Sequence, residues 1–279
     1  VCAYNAAEQE LNDALARTLD GYVAALLARD AGARLRVLEI GAGTGATSEQ
    51  VFRLLAPYRE RIAEYAYTDL SRAFLLHAED HYRADAPYLV GRLLDIERAP
   101  ATQGFDTGVY DVVLATNVLH ATSDVRRSLA HAKTLLLSGG LLLVNEMSRN
   151  DLWAHLTFGL LEGWWRATDT ALRETGSPVL SPAAWRRALD AEGYVRIGFP
   201  AEAAHALGQQ VIVAESDGLI VRDVLAAAEP VAAPAAVAPA AVTPVAATPV
   251  HSRAPAVSVS ASVAHDGALV EAVRRALQR

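Results

Sequence analysis

The sequence predicts an α/β fold, a doubly wound and mostly parallel sheet with helices on both faces. Three observations predict it. Near-continuous apolar runs of strand length alternate with helix-period segments, the pattern of strands covered on both faces. The first such run, Val37-Leu38-Glu39-Ile40, breaks into three glycines at alternate positions, Gly41, Gly43 and Gly45, ahead of a helix-forming run from Ser48. Polar residues fit for chemistry recur where the runs end: Asp69, Asp95, Asn117, His120 and Glu146. Ligands of such sheets sit beyond the carboxyl ends of the strands. The five positions therefore mark one candidate site on a Rossmann-like architecture.

The elements follow in order. Residues from Tyr4 to Arg29 are expected as a helix, because Leu11, Leu15, Leu19, Val23 and Leu26 recur at helical spacing. Asp30-Ala31-Gly32 ends it. Strand one, Arg36–Ile40, leads through the glycine turn into a helix to about Leu55. Glu64–Thr68 is a short second strand ending at Asp69-Leu70-Ser71. A helix from Ala73 to about Tyr82 precedes a third strand near Tyr88–Leu93, which ends at Asp95-Ile96-Glu97. Val109–Thr116 is a strongly apolar fourth strand running into Asn117-Val118-Leu119-His120. A helix over Val125–Leu136 stops at Gly139-Gly140, and Leu141–Glu146 is the fifth strand. A partly helical aromatic stretch, Trp153 to Trp165, and a helix near Ala183–Glu192 come next. The pair Val195–Phe199 and Gln209–Glu215 closes the sheet. From about Ala226 the chain turns to Ala, Pro and Val. Such a segment lacks the apolar bulk to offset ordering entropy and is expected to be a disordered linker. Asp266-Gly267-Ala268-Leu269-Val270-Glu271 then opens a capped amphipathic helix, as at the start of a further domain.

The bulk numbers exclude several classes. With 279 residues, 52% hydrophobic and 20% charged, the chain suffices for one large α/β domain and more. A net charge of −7 argues against a nucleic-acid partner reached through a basic face. The single cysteine, Cys2, excludes an internal disulfide and fits a reducing cytoplasm. No apolar run approaches the ~20 residues a membrane helix needs, and no signal peptide is visible. With Val1 first and Met147 the only methionine, the sequence reads as a piece of a longer polypeptide.

Glycine permits positive φ and lets a ligand approach bare backbone, and the amides of a helix start face whatever lies over the turn. Gly41-x-Gly43-x-x-Ala46 also satisfies the dinucleotide fingerprint. Asp69, about 20 residues on, stands where a ribose-binding acid belongs in either reading. One carboxylate can take two hydrogen bonds from ribose hydroxyls and another, Asp95, can accept from an exocyclic amine. Both residues are equally at home as loop or cap acids. His120 and Glu146, at the ends of neighbouring strands, have the makings of a general base and its orienting carboxylate. Spacing alone does not separate that pair from a strand-end histidine beside an unrelated acid. His77 and His81 lie four apart on a helix with no third ligand at suitable spacing, so a surface pair is expected and no metal site. Trp164 and Trp165, with Phe158, can wall a pocket or pack a core.

Taken together, VLEIGAGTG (Val37–Gly45), Tyr67-Thr68-Asp69-Leu70-Ser71, Leu94-Asp95-Ile96-Glu97, NVLHAT (Asn117–Thr122), Leu142-Leu143-Val144-Asn145-Glu146 and LTFGLLEGWW (Leu156–Trp165) resemble the methyltransferase domains of modular polyketide synthases. The likeness is greatest to bacterial assembly lines, including those served by separate acyltransferases, and covers roughly Tyr4 to Asp217. It implies the class I methyltransferase type of Rossmann-like fold, with S-adenosylmethionine as cofactor. By matching position, Glu39, Gly41, Gly43 and Gly45 form the cofactor turn and its support. Asp69 takes the ribose, Asp95 and Ile96 the adenine, and Asn117 also lies on the cofactor. The family's dyad falls on His120 and Glu146, and Tyr4, Phe158, Trp164 and Trp165 face the substrate.

The implied reaction is methylation of the α-carbon of a β-ketoacyl thioester, with His120 removing the α-proton. The implied partners are an acyl carrier domain bearing a phosphopantetheine-linked intermediate and neighbouring synthase domains, with no nucleic acid and no membrane. O-methylation of a β-hydroxyl by the same dyad, an inactive structural domain and a nicotinamide oxidoreductase are the alternatives. The expected organisation is a helical segment over 1–35, a methyltransferase core over 36–225, a linker over 226–264 and the start of a further domain, an acyl carrier by resemblance, over 265–279. One feature departs from the family. Carbon-methylating members often carry a long helical lid before the core, whereas about 35 residues precede strand one here, a partial lid at most.

Overall fold

The computed structural model describes residues 6–149, 152–160, 162–202, 205 and 208–221. Tyr4, the expected linker and the helix expected after it lie outside the described residues. The elements along the chain are α1 (Ala6–Arg29), β1 (Leu35–Ile40), α2 (Ala46–Leu55), β2 (Ile62–Asp69), α3 (Arg72–Tyr82), β3 (Leu89–Leu93) and β4 (Tyr110–Thr116). There follow α4 (Val125–Leu135), β5 (Leu136–Met147), α5 (Leu152–Phe158), α6 (Pro182–Ala191), β6 (Tyr194–Gly198) and β7 (Gln209–Ser216). The strands form one sheet in the order β3-β2-β1-β4-β5-β7-β6. Strands β1 to β5 are parallel, and β7 runs antiparallel to both β5 and β6. The doubly wound, mostly parallel sheet expected from the alternating pattern is what forms. Strand order reverses between β1 and β4, and a sheet of this kind opens its ligand crevice at that point.

Side chains of a strand alternate between faces, and the sheet accordingly carries two cores. Leu15, Leu19, Val37, Phe52, Tyr65, Leu114 and Leu143 pack between the sheet and the α1, α2 and α3 side. Leu38, Val113, Leu129, Val144, Leu180 and Trp185 pack on the α4 and α6 side. The described part of α1 presents Leu11, Leu15, Leu19 and Val23 to the first of these cores. The alternation has a consequence for chemistry. Glu39 shares the face of Val37, while Glu146 shares the face of Val144, so the two buried carboxylates serve opposite sides of one rim.

The junction before β5 differs from the sequence expectation. Helix α4 ends at Leu135 and β5 begins at once, ahead of Gly139 and Gly140. The pairing register with β4 shifts between Tyr110 and Val112. A Cβ on Gly140 would lie 3.0–3.2 Å from the carbonyl oxygens of Leu137, Tyr110 and Asp111. The glycine pair thus accommodates a bulge inside the strand rather than stopping the helix. On α4 itself, the buried Lys133 donates to the carbonyls of Glu192 and Gly193, each at 2.8 Å, and pairs with Asp217 at 2.7 Å. It ties the α6–β6 turn and the residue after β7 to α4. Lys133→Met should leave those acceptors unmatched and cost roughly 1–3 kcal/mol. Urea denaturation should show a lower midpoint at unchanged slope.

Candidate active site

The glycine turn is supported from beneath by Glu39. Its buried carboxylate accepts from Ser48 Oγ at 2.5 Å and Tyr65 OH at 2.6 Å. Burial pushes the Glu39 carboxyl up from its ordinary range, and the two hydroxyls oppose that shift. Tyr67 OH donates to the Gly43 carbonyl at 2.8 Å, and the Ala42 amide donates to the Thr68 carbonyl at 2.9 Å, which lashes the turn to β2. The three glycines have positive φ but different neighbours. A Cβ on Gly41 would lie 2.5 Å from Val118, and one on Gly45 2.6 Å from Tyr82. At Gly43 it would meet nothing closer than a carbonyl oxygen at 3.9 Å, so that face is open. Gly41 and Gly45 are glycines because the protein closes on them. Gly43 borders space that a ligand can use.

Asp69 stands beside that space at the end of β2. Its Oδ2 accepts the Gly43 amide at 3.0 Å and its Oδ1 the Ser71 amide at 2.8 Å. Each oxygen keeps a further lone pair for ribose hydroxyls. The Leu94 amide donates to the Asp69 carbonyl at 3.2 Å, which brings the next loop alongside. There Asp95 accepts the Glu97 amide on Oδ1 at 3.0 Å, leaving Oδ2 for an amine, and Ile96 is a buried apolar neighbour. An open glycine face, a carboxylate beside it and a second acid next to an apolar side chain are the open surface and hydrogen-bond acceptors an adenosine needs. S-adenosylmethionine therefore fits the residues present. Residues without a sequence signal hold this rim. His131 of α4 meets the Ile96 carbonyl through Nδ1 at 2.7 Å, and burial lowers its basicity. Gln209 of β7 donates to both Asn117 Oδ1, at 2.8 Å, and Asn145 Oδ1, at 3.0 Å. That contact steadies Asn117 in a left-handed conformation, φ 51°, which is uncommon outside glycine.

The dyad forms. His120 Nδ1 lies 2.5 Å from Glu146 Oε2, with the ring 4% exposed and the carboxylate fully buried. Glu146 Oε1 accepts the amides of Val118, at 2.9 Å, and Leu119, at 2.7 Å. The carboxylate thus fixes both the imidazole and the turn that carries it, and with Nδ1 engaged it is Nε2 that remains for chemistry. Trp164, 4% exposed, sets its ring edge-on to His120 with centroids 5.9 Å apart and stacks on Phe158 at 5.9 Å. Trp165 separates from this group: it is 60% exposed and donates to the Gly159 carbonyl at 2.8 Å. His77 and His81 stack on each other at 5.4 Å on α3, and the described residues contain no group of three or more metal-binding side chains. No described helix is long and apolar enough to cross a membrane.

Known proteins are similar in sequence and fold. A family model described as a methyltransferase domain matches residues 38–142. Polyketide synthase PksM of Bacillus subtilis (strain 168) is 50% identical over 219 residues, which is 78% of this chain and 5% of that protein. The solved DszA carbon methyltransferase aligns at 36% identity with a TM-score of 0.66, over 71% of this chain and 53% of that one. The trans-methyltransferase CalH, solved in complex with SAH, aligns at 33% identity with a TM-score of 0.60, over 75% of this chain and 58% of that one. The chain spans a small part of the synthase and little more than half of each solved relative. The domain match and these relatives mark a methyltransferase that uses S-adenosylmethionine. The chain is similar to the methyltransferase domains of bacterial polyketide synthases.

The geometry separates binding from stability. Gly43→Val should abolish S-adenosylmethionine binding in calorimetry, and Asp69→Ala should weaken it by on the order of 100-fold, two charge-assisted hydrogen bonds being lost. Gly45→Val should lower the thermal midpoint more than Gly43→Val, because only the former drives a side chain into Tyr82.

Proposed function

We propose that this domain methylates the α-carbon of a β-ketoacyl thioester presented on an acyl carrier domain. The observation that carries the reading is the His120–Glu146 pair, buried, walled by Trp164 and set at the strand ends beside the cofactor turn. The carbon preference draws support from the DszA and CurJ relatives, both named carbon methyltransferases, at 36% and 37% identity.

His120 Nε2 takes a proton from the carbon between the two carbonyls. That carbon is acidified by both neighbours, so one positioned base suffices. Glu146 holds the tautomer that leaves Nε2 free and balances the imidazolium charge as it forms. The enolate carbon then forms its new bond to the methyl group, and the proton passes from His120 to solvent. When bound, S-adenosylmethionine supplies that methyl on a positively charged sulfur, which departs as a neutral thioether. Trp164 and Phe158 exclude water from the reacting face, and much of the rate comes from holding the carbon in place.

The Ala, Pro and Val composition of 226–264 supports a linker that lets a carrier beginning near 265 reach the site, and residues 1–35 lie ahead of the core where a partial lid belongs. The lone cysteine accords with work in the cytoplasm, among neighbouring domains of a synthase. On β-ketoacyl carrier, mass spectrometry should show a gain of one methyl, placed on the α-carbon by fragmentation, and little gain on β-hydroxyacyl carrier. The opposite preference would assign O-methylation. His120→Ala should lose ~10²–10⁴ in turnover, the contribution of a positioned base, at near-parental cofactor affinity. Glu146→Gln should lose nearly as much, because its amide nitrogen facing Nδ1 would turn the imidazole to the tautomer that lacks a free Nε2.

A further inference from the structure

We propose that Arg173 is a positioning residue for His120, holding the main chain on which the base is mounted; this rests on the reading of His120 as the base. The turn Leu119–Ala121 is a single 3₁₀ turn in which the Leu119 carbonyl accepts the Thr122 amide at 3.2 Å, and the carbonyls of His120 and Thr122 need partners from elsewhere. Arg173, its side chain 2% exposed, reaches them. Nη1 donates to the His120 carbonyl at 2.6 Å and to the Pro178 carbonyl at 2.7 Å. Nη2 donates to the Thr122 carbonyl at 3.0 Å. Nε and Nη2 grip Asp169 Oδ1 and Oδ2 at 2.6 and 3.0 Å. A guanidinium has five N–H donors, and here each has an acceptor.

Asp169 extends the clamp, since its Oδ2 also accepts the Val125 amide at 2.8 Å where α4 begins. The Thr168 amide and hydroxyl both donate to the Ser123 carbonyl, at 2.8 and 2.9 Å. The arc from His120 to Val125 is therefore pinned by the segment 168–173, while Glu146 pins the amides just ahead of it. His120 sits between the two anchors. Only a planar fork meets a carboxylate bidentately and three diverging carbonyls at once, which a lysine ammonium cannot do. Displacement of a reacting group by about 1 Å costs on the order of 100-fold in rate.

The test is a cycle of four full-length proteins: the parent, Arg173→Lys, His120→Ala and the double variant. Single-turnover methylation of a β-ketoacyl pantetheine thioester is followed by mass spectrometry. Arg173→Lys should lower the rate about 10- to 100-fold in the parent, with the dissociation constant of S-adenosylmethionine within about twofold, and should change the residual rate of His120→Ala by less than about twofold. An equal loss in both backgrounds marks a merely structural role and overturns the proposal. A parental rate in Arg173→Lys beside an inactive His120→Ala overturns this proposal alone. An active His120→Ala overturns the base assignment and this proposal with it. Asp169→Asn, isosteric but without the charge that orients the fork, gives a second reading of the same cycle should the lysine variant fail to fold.

Discussion

The carboxylate of Glu146 is the constraint on which the reacting half of the site depends. It is fully buried at the end of β5, a place where an unpaired charge would be costly. Three contacts make it tolerable: two amides of the turn after β4 on one oxygen and the imidazole of His120 on the other. The same contacts that keep Glu146 soluble in the interior decide where His120 lies and which of its nitrogens is free. Packing and chemistry are here one interaction. Its position follows from the pleat, because two residues after Val144 the chain again points to the α4 side.

The cofactor half obeys the same logic on the other face. Glu39, two residues after Val37, anchors the glycine turn through Ser48 and Tyr65. The halves meet where Val118 packs over Gly41, so the turn that carries His120 also shapes the glycine turn. A sheet whose order reverses between β1 and β4 leaves room there for both. That is why polar residues from four strand ends, Asp69, Asp95, Asn117 with His120, and Glu146, lie along one rim although the ends are far apart in sequence.

Much of this was legible in the sequence. Apolar runs of strand length, each ending in a polar residue, gave the parallel sheet and the location of the rim, and the glycine spacing gave the turn. The pair His120 and Glu146 is less legible: spacing leaves it ambiguous, NVLHAT and FGLLEGWW tie it to a family only by resemblance, and the 2.5 Å contact between the side chains is visible only in the fold. Other features left no trace in the linear text. Gln209 reaches Asn117 from β7, and Arg173 reaches His120 from a loop, contacts fixed by sheet register and chain return rather than by local pattern. The split between Trp164 and Trp165 was equally hidden, since adjacent identical residues differ only in which way the turn sends them. Gly139 and Gly140 read as a helix stop because a bulge and a stop use the same residue for the same freedom.

The central claim is that His120, held by Glu146, takes a proton from carbon. It is tested most directly without methyl transfer at all. With SAH bound, a β-ketoacyl pantetheine thioester can be followed by NMR in deuterated water for exchange of its α-hydrogens. The account predicts exchange well above the uncatalysed rate with the parent protein and exchange at the uncatalysed rate with His120→Ala. Parental exchange in the His120→Ala protein would contradict it.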